Sequence, residues 1–301
     1  MESVANALAT ILAFGGETAT VSRTGYITAF ARALSRRSDP PEIANEDHLA
    51  DVFLLPVYRV LNRVPRLARR LFERSSPGAV AYFNARTRHI DAIVREQIAA
   101  GLDQLVVLGA GFDSRAIRFD AQLGEARVFE VDLADVIALK ARHLAAAGQR
   151  LPPRVVQVAI DFSAEHLDKL LSHGFRPDAR TLFLWEGVAT YLRDDDVSGV
   201  LRFVREHGGP RSTLVFDYVT RAFFEGDHSG YGSRELARGW RRMGNVNRSA
   251  IASVHDRLAP FGLTVLSDLG PEDLERLYST PAGRPPRRVW AALRIAHAGL
   301  A

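Results

Sequence analysis

Hydrophobic residues are spaced in two different ways along this chain. Thr18 to Leu34 carries Val21, Ile27, Phe30 and Leu34 at intervals that fit one side of a helix. Arg36 to Pro41 (RRSDPP) predicts a break, because proline disfavours helix at the residue before it. Leu49 to Leu61 is apolar again, interrupted by Pro56, and Ser76-Pro77-Gly78 predicts a turn. A long helix is expected over Val80 to Ala100, with Ile90, Ile93, Val94 and Ile98 on one stripe. Beyond it the apolar residues stand in short unbroken runs. Leu105 to Leu108, Arg127 to Asp132, Val155 to Asp161, Thr181 to Glu186 and Thr213 to Tyr218 read as strands buried on both faces. Helical patterns separate them, as at Leu133 to Ala147 and Asp194 to Glu206. Such alternation predicts an α/β fold with a doubly wound parallel sheet. Leu263 to Leu266 and Val289 to Ile295 read as two further strands that could pair as an antiparallel edge.

Two segments stand outside this rhythm. Residues 1–80 are expected to form a helical N-terminal cap on a core spanning 81–301. Within that core, residues 221–248 carry Phe223, Phe224, His228, Tyr231 and Trp240 among glycines and arginines, and are expected to be an insertion near the acceptor.

Composition narrows the function classes. The chain has no cysteine, which excludes disulfides, thiol nucleophiles and cysteine metal sites. Its nine histidines show no HExxH-like spacing, so no metal is expected. Lys plus Arg is 39 and Asp plus Glu is 35, and the basic residues form no block, so no nucleic-acid partner is expected. No run approaches the ~20 apolar residues of a membrane helix, so no membrane is expected. Val4 to Phe14 is apolar without a secretory flank, which favours a cytoplasmic location.

The chemistry gathers where the strands end. Leu108-Gly109-Ala110-Gly111-Phe112-Asp113-Ser114-Arg115 follows the first sheet strand, where ligands bind in doubly wound sheets. Asp132 ends the next strand, 21 positions beyond Gly111, where an acid can accept hydrogen bonds from two ribose hydroxyls. It could instead serve the start of the helix from Leu133. A nicotinamide dinucleotide shares both features, although Ser114 stands where its fingerprint has a third glycine. Asp161 and Glu186 then end the third and fourth strands, with Phe162 directly after Asp161. So much negative charge disfavours a pyrophosphate and favours a cationic adenosyl ligand such as S-adenosylmethionine. The carboxylate of that ligand wants an arginine, for which Arg86 is a candidate.

YFNARTRHID (Tyr82 to Asp91), LVVLGAGFDSR (Leu105 to Arg115), VFEVD (Val128 to Asp132) and WEGVATYL (Trp185 to Leu192) together resemble the leucine carboxyl methyltransferase family. More closely they resemble its bacterial branch of S-adenosylmethionine-dependent O-methyltransferases. The resemblance covers roughly residues 20 to 220. It implies a class I methyltransferase (Rossmann-like) fold: seven strands, the last antiparallel, and a helical N-terminal cap. By residue it implies that Arg86 pairs with the methionine carboxylate and that Gly109 and Gly111 lie under the methionine and ribose. Asp132 would bind the ribose, Asp161 the adenine amine and the Phe162 backbone the ring edge. Glu186 would face the methionine ammonium and Tyr191 the acceptor. Arg23, with Arg32 behind it, is the second basic residue expected from the cap. The segment reads EGVATYL where the family has an EGLLMYL-like one, and Glu46-Asp47-His48-Leu49 stands where a DDPY-like one is usual.

The activity this implies is methyl transfer to a carboxylate, or a hydroxyl, of a small molecule such as a natural product. A carboxylate needs no general base; a hydroxyl would, and His89 or His228 are the candidates. The rival expectations are an NAD(P)-dependent oxidoreductase and a non-catalytic homologue that binds S-adenosylmethionine.

Overall fold

Valine- and leucine-rich runs can be satisfied only by pairing their backbone groups while both faces are covered, and the sheet does this for four of them, while the fifth, Val155–Ala159 at the sheet edge, is mostly half-buried. The computed structural model describes residues 20–244 and 247–300. Strands β1 (Gln104–Leu108), β2 (Arg127–Asp132), β3 (Val155–Ala159), β4 (Thr181–Trp185) and β5 (Thr213–Val219) pair in parallel. Strand β7 (Leu293–Leu300) runs antiparallel between β5 and β6 (Leu263–Leu269). The order across the sheet is β3-β2-β1-β4-β5-β7-β6. This is the seven-stranded arrangement expected, with its last strand antiparallel. The order reverses between β1 and β4, and in doubly wound sheets ligands bind beside the carboxyl ends of the strands at such a switch point.

The last strand departs from the sequence reading. Val289 to Ala292 lie outside β7, which starts at Leu293. Val289 donates to the Glu275 carboxylate at 2.9 Å and Ala291 to the Tyr231 carbonyl at 3.1 Å. Their apolar character comes from burial elsewhere, with the Trp290 ring 5.2 Å from Phe83 and 5.6 Å from Tyr82. The first helix also runs past the expected break to Ser38, one residue before Asp39-Pro40.

Two compact units result. One holds the chain up to His89 together with His228–Met243 and Pro271–Ala291; the other holds Ile90–Asp227, Gly244–Gly270 and the chain from Ala292. In the first, Phe30 of the helix Thr20–Ser38 stacks on Tyr58 at 4.5 Å and meets Phe72 edge-on. Gly78 is required here: its φ is 85°, and a Cβ would come within 3.0 Å of Tyr231 and Val289. In the second, Val106, Leu108, Phe129, Val131, Phe183 and Trp185 form a buried layer under Val197, Val200, Leu201 and Val204 of the helix Asp194–His207. Among the described residues no helix is long and apolar enough to cross a membrane.

Candidate functional site

The loop after β1 turns sharply because two of its residues take positive φ, 69° at Gly109 and 42° at Gly111. The Gly109 and Ala110 amides donate to the Val131 carbonyl at 2.8 and 2.9 Å, tying the loop to the end of β2. Gly109 is also fixed by its neighbour after β4. A Cβ there would stand 2.3 Å from the Val188 methyl. Among the described residues a Cβ on Gly111 would meet nothing nearer than the Gly109 carbonyl at 3.8 Å, so none of them covers this face of the loop.

Asp132 closes the loop from below. Its Oδ2 accepts the Gly111 amide at 2.6 Å and its Oδ1 accepts the Leu133 amide at 2.7 Å. One carboxylate thus serves both the glycine loop and the entry to the helix Ala134–Ala146, whose N-cap is Leu133. Burial raises the Asp132 pKa, against the lowering effect of those two amides and of Lys140. Lys140 itself lies beneath, bonded to Glu130 at 2.7 Å, with Gln157 on the other Glu130 oxygen at 3.2 Å. Sequence reasoning passed over this buried pair. Its signal was an acid inside the apolar run VFEVD, since a carboxylate in a buried strand must be paired.

Glu186 directly follows β4. Its Oε2 accepts from Arg115 Nη1 at 2.7 Å. Arg115 also bonds Asp113 in the glycine loop and, through Nε at 2.7 Å, Asp91. Asp113 and Arg115 are thus paired within a larger cluster. Next, Gly187 donates to Asp217 of β5 at 2.5 Å, and Val188 leads into a 3₁₀ turn, Ala189–Tyr191, with Tyr191 half-buried.

Asp161 follows β3. Its Oδ1 accepts the Ser163 amide at 2.9 Å, an Asx turn, while Phe162 packs on the core layer. Gly109, Gly111 and Asp132 are thus brought into one bonded loop, Glu186 is joined to that loop through Arg115, and Asp161 lies two residues beyond the end of β3, the strand beside β2.

The cap candidates belong to the other unit. Arg86 is buried there, its guanidinium over the Phe83 and Tyr82 rings at 5.1 and 5.6 Å. Arg32 bonds Asp47 at 2.8 Å, and the Arg23 side chain lies outside the described residues. His89 Nδ1 is 2.9 Å from the Tyr278 hydroxyl. His228 is half-buried. Among the described residues no group of His, Asp or Glu could hold a metal ion.

These features discriminate between ligands. A dinucleotide site points its loop amides and a helix N-terminus at a pyrophosphate. Here the Gly111 amide is taken by Asp132, and the helix after the loop, Arg115–Arg118, is four residues long. A carboxylate offers about four lone-pair sites, and Asp132 uses two on amides, which leaves acceptor capacity for a diol. These acceptors fit a ribose and a cationic tail. A family profile described as leucine carboxyl methyltransferase matches residues 25–205, more than half of the chain.

The chain belongs to the leucine carboxyl methyltransferase family. The methyl donor of this family of S-adenosylmethionine-dependent methyltransferases is the cofactor expected above. Relatives agree. A protein of Parafrankia sp. (strain EAN1pec), named "Putative S-adenosyl-L-methionine-dependent methyltransferase", is 34% identical over 199 residues, 65% of this chain and 63% of that protein. A protein of Bacillus subtilis (strain 168) with the same printed name is 25% identical over 279 residues, 85% of this chain and 91% of that protein. The match to the Parafrankia protein therefore spans less than two thirds of its length. Among solved structures, a DUF574 family protein of Streptomyces avermitilis MA-4680 superposes with a TM-score of 0.55 at 17% identity, covering 90% of this chain and 97% of that one. At that identity it speaks for the fold of this leucine carboxyl methyltransferase family member.

Proposed function

We propose that the chain moves a methyl group from S-adenosylmethionine to an oxygen of a small-molecule acceptor, with a carboxylate such as that of a natural product as the first choice. The observation that carries this reading is the glycine loop tied to Asp132 at the point where the strand order reverses, with Asp161 and Glu186 on the flanking strand ends. Asp132 is assigned the ribose diol, Asp161 the adenine amine, the Phe162 backbone the ring edge and Glu186 the amino group. Gly109 and Gly111 let the backbone approach the methionine and ribose. Arg86 keeps the role its motif gives it, partner of the methionine carboxylate, with Arg23 as the second base. Tyr191 is assigned to the acceptor side.

When bound, S-adenosylmethionine supplies a methyl on a sulfonium that leaves as a neutral thioether. The electrophile arrives activated, so the residues contribute alignment and exclusion of water. The acceptor oxygen forms its bond to the methyl carbon as the carbon–sulfur bond breaks, with the electron pair passing to sulfur. A carboxylic acid, with a pKa of about 4, is ionised at neutral pH and gives up no proton in this step.

Titration calorimetry with S-adenosylhomocysteine and NAD tests the donor. Binding of the first and not the second is expected; the reverse would refute the reading. Incubation with isotopically labelled S-adenosylmethionine and a panel of carboxylic acids and phenols tests the acceptor. Labelled ester is the expected product, labelled ether alone would replace the carboxylate by a hydroxyl, and donor binding with no transfer to any would favour a non-catalytic homologue.

A further inference from the structure

Carboxylates from three separate parts of the chain converge on one guanidinium. Asp91 comes from the helix Ala79–Ala99, Asp113 from the glycine loop and Glu186 from the end of β4. The guanidinium of Arg115 is almost wholly buried among them. Its Nε meets Asp91 at 2.7 Å, while Nη1 is shared between Glu186, at 2.7 Å, and Asp113. Asp113 also accepts the Arg115 amide at 2.7 Å, so loop and side chain are locked to one another. Asp91 is gripped from its other side by Arg118, at 2.8 and 3.0 Å.

Two carboxylates bonded to the same nitrogen face each other across it. Without the cation they would repel, and Glu186 would turn away from the loop. A buried ionic cluster is no bargain for stability, because desolvation offsets most of its attraction. Its use is geometric: a planar guanidinium with five donors holds several acceptors at fixed angles, which an ammonium does not. This one sits where the glycine loop and β4 meet at the reversal of strand order.

We infer that Arg115 is the positioning residue that holds Glu186 in place for the amino group of the donor. This rests on the donor reading above. The test compares two probes, S-adenosylhomocysteine and 5′-methylthioadenosine, which shares the adenosyl part and lacks the amino-acid tail. In Arg115→Lys, affinity for S-adenosylhomocysteine should fall about tenfold or more, while that for methylthioadenosine stays within about twofold. Glu186→Gln should show the same pattern. A merely structural defect would weaken both probes together. Equal loss for both, or no loss for either, overturns the assignment of Arg115. Failure of the unaltered protein to bind either probe overturns the donor reading and this inference with it. Should Arg115→Lys not fold, Asp91→Asn loosens the same guanidinium from behind, with the same expected split and the same refuting results.

Discussion

The two glycines of the loop after β1 make opposite demands, and alanine at each separates folding from binding. At Gly109 the φ of 69° costs an alanine about 1–2 kcal/mol. Its Cβ would also stand 2.3 Å from the Val188 methyl and 3.3 Å from two further Val188 carbons. Val188 is anchored through Gly187 to Asp217, so it cannot yield without disturbing the end of β4. Overpacking of this kind costs about 1–3 kcal/mol. Together the two effects destabilise by roughly 2–5 kcal/mol, a melting temperature lowered by roughly 5–15 °C for a chain of this size. At Gly111 the strain is similar, about 1–2 kcal/mol, but the nearest atom among the described residues is 3.8 Å away. Its methyl would point into the open face of the loop. Gly111→Ala should therefore melt only a few degrees lower, roughly 2–6 °C, yet lose about tenfold or more in affinity for S-adenosylhomocysteine. Thermal unfolding and calorimetry on both variants decide it. If Gly109→Ala melts no lower than Gly111→Ala, the steric argument is wrong. If Gly111→Ala binds like the parent, the open face is not where the ligand lies.

Other perturbations test other parts. His297 of β7 is buried, which pulls its pKa down to about 4. A histidine depressed from 6.5 leaves stability intact above pH ~6.5 and loses about 3 kcal/mol as pH falls toward 4. Urea unfolding between pH 7.5 and 4.5 should show this slope flattened in His297→Gln; identical slopes would refute the assignment. Lys140→Met leaves Glu130 buried without its cation and should cost about 3–5 kcal/mol, read as a lower urea midpoint, whereas Lys140→Met combined with Glu130→Leu should recover most of it. A double variant as unstable as the single one would show that the pair is not what matters. Asp132→Ala and Arg86→Ala should each weaken S-adenosylhomocysteine binding about tenfold or more, and unchanged affinity in both would remove those two assignments.

What could be read in the sequence followed from what each residue must do alone. Strand β2 runs from Arg127 to Asp132, the bounds its apolar run gives, because a strand covered on both faces is apolar throughout. β7 was misplaced for the complementary reason. Val289 is buried and Trp290 packs on Tyr82 and Phe83, while the true strand continues past Ile295 through Ala296, Ala298 and Gly299, whose small side chains carry no strand signal. The acids at the strand ends were legible because a carboxylate after a buried run has few structural uses. Their partners were not. The 71 positions between Arg115 and Glu186 carry no periodicity that could link them.

Three of the 39 basic side chains stand behind those acids. Asp91, Asp113 and Glu186 crowd one end of the sheet, and such a cluster would resist folding were it not threaded by Arg115 and Arg118. Glu130, one alternation behind Asp132 on β2, has Lys140 for the same reason. The side chains of these three cations are buried, so they are unavailable to a polyanion, and they contribute to the basic count without making a basic surface. What they do is hold the acids of this edge in fixed positions before any ligand arrives. A fixed anionic edge favours a cation over its neutral counterpart through the charge that differs between them. If the donor sits at this edge as proposed, the cationic methyl donor should bind more tightly than the neutral thioether left after transfer, and raising the salt concentration should narrow that difference.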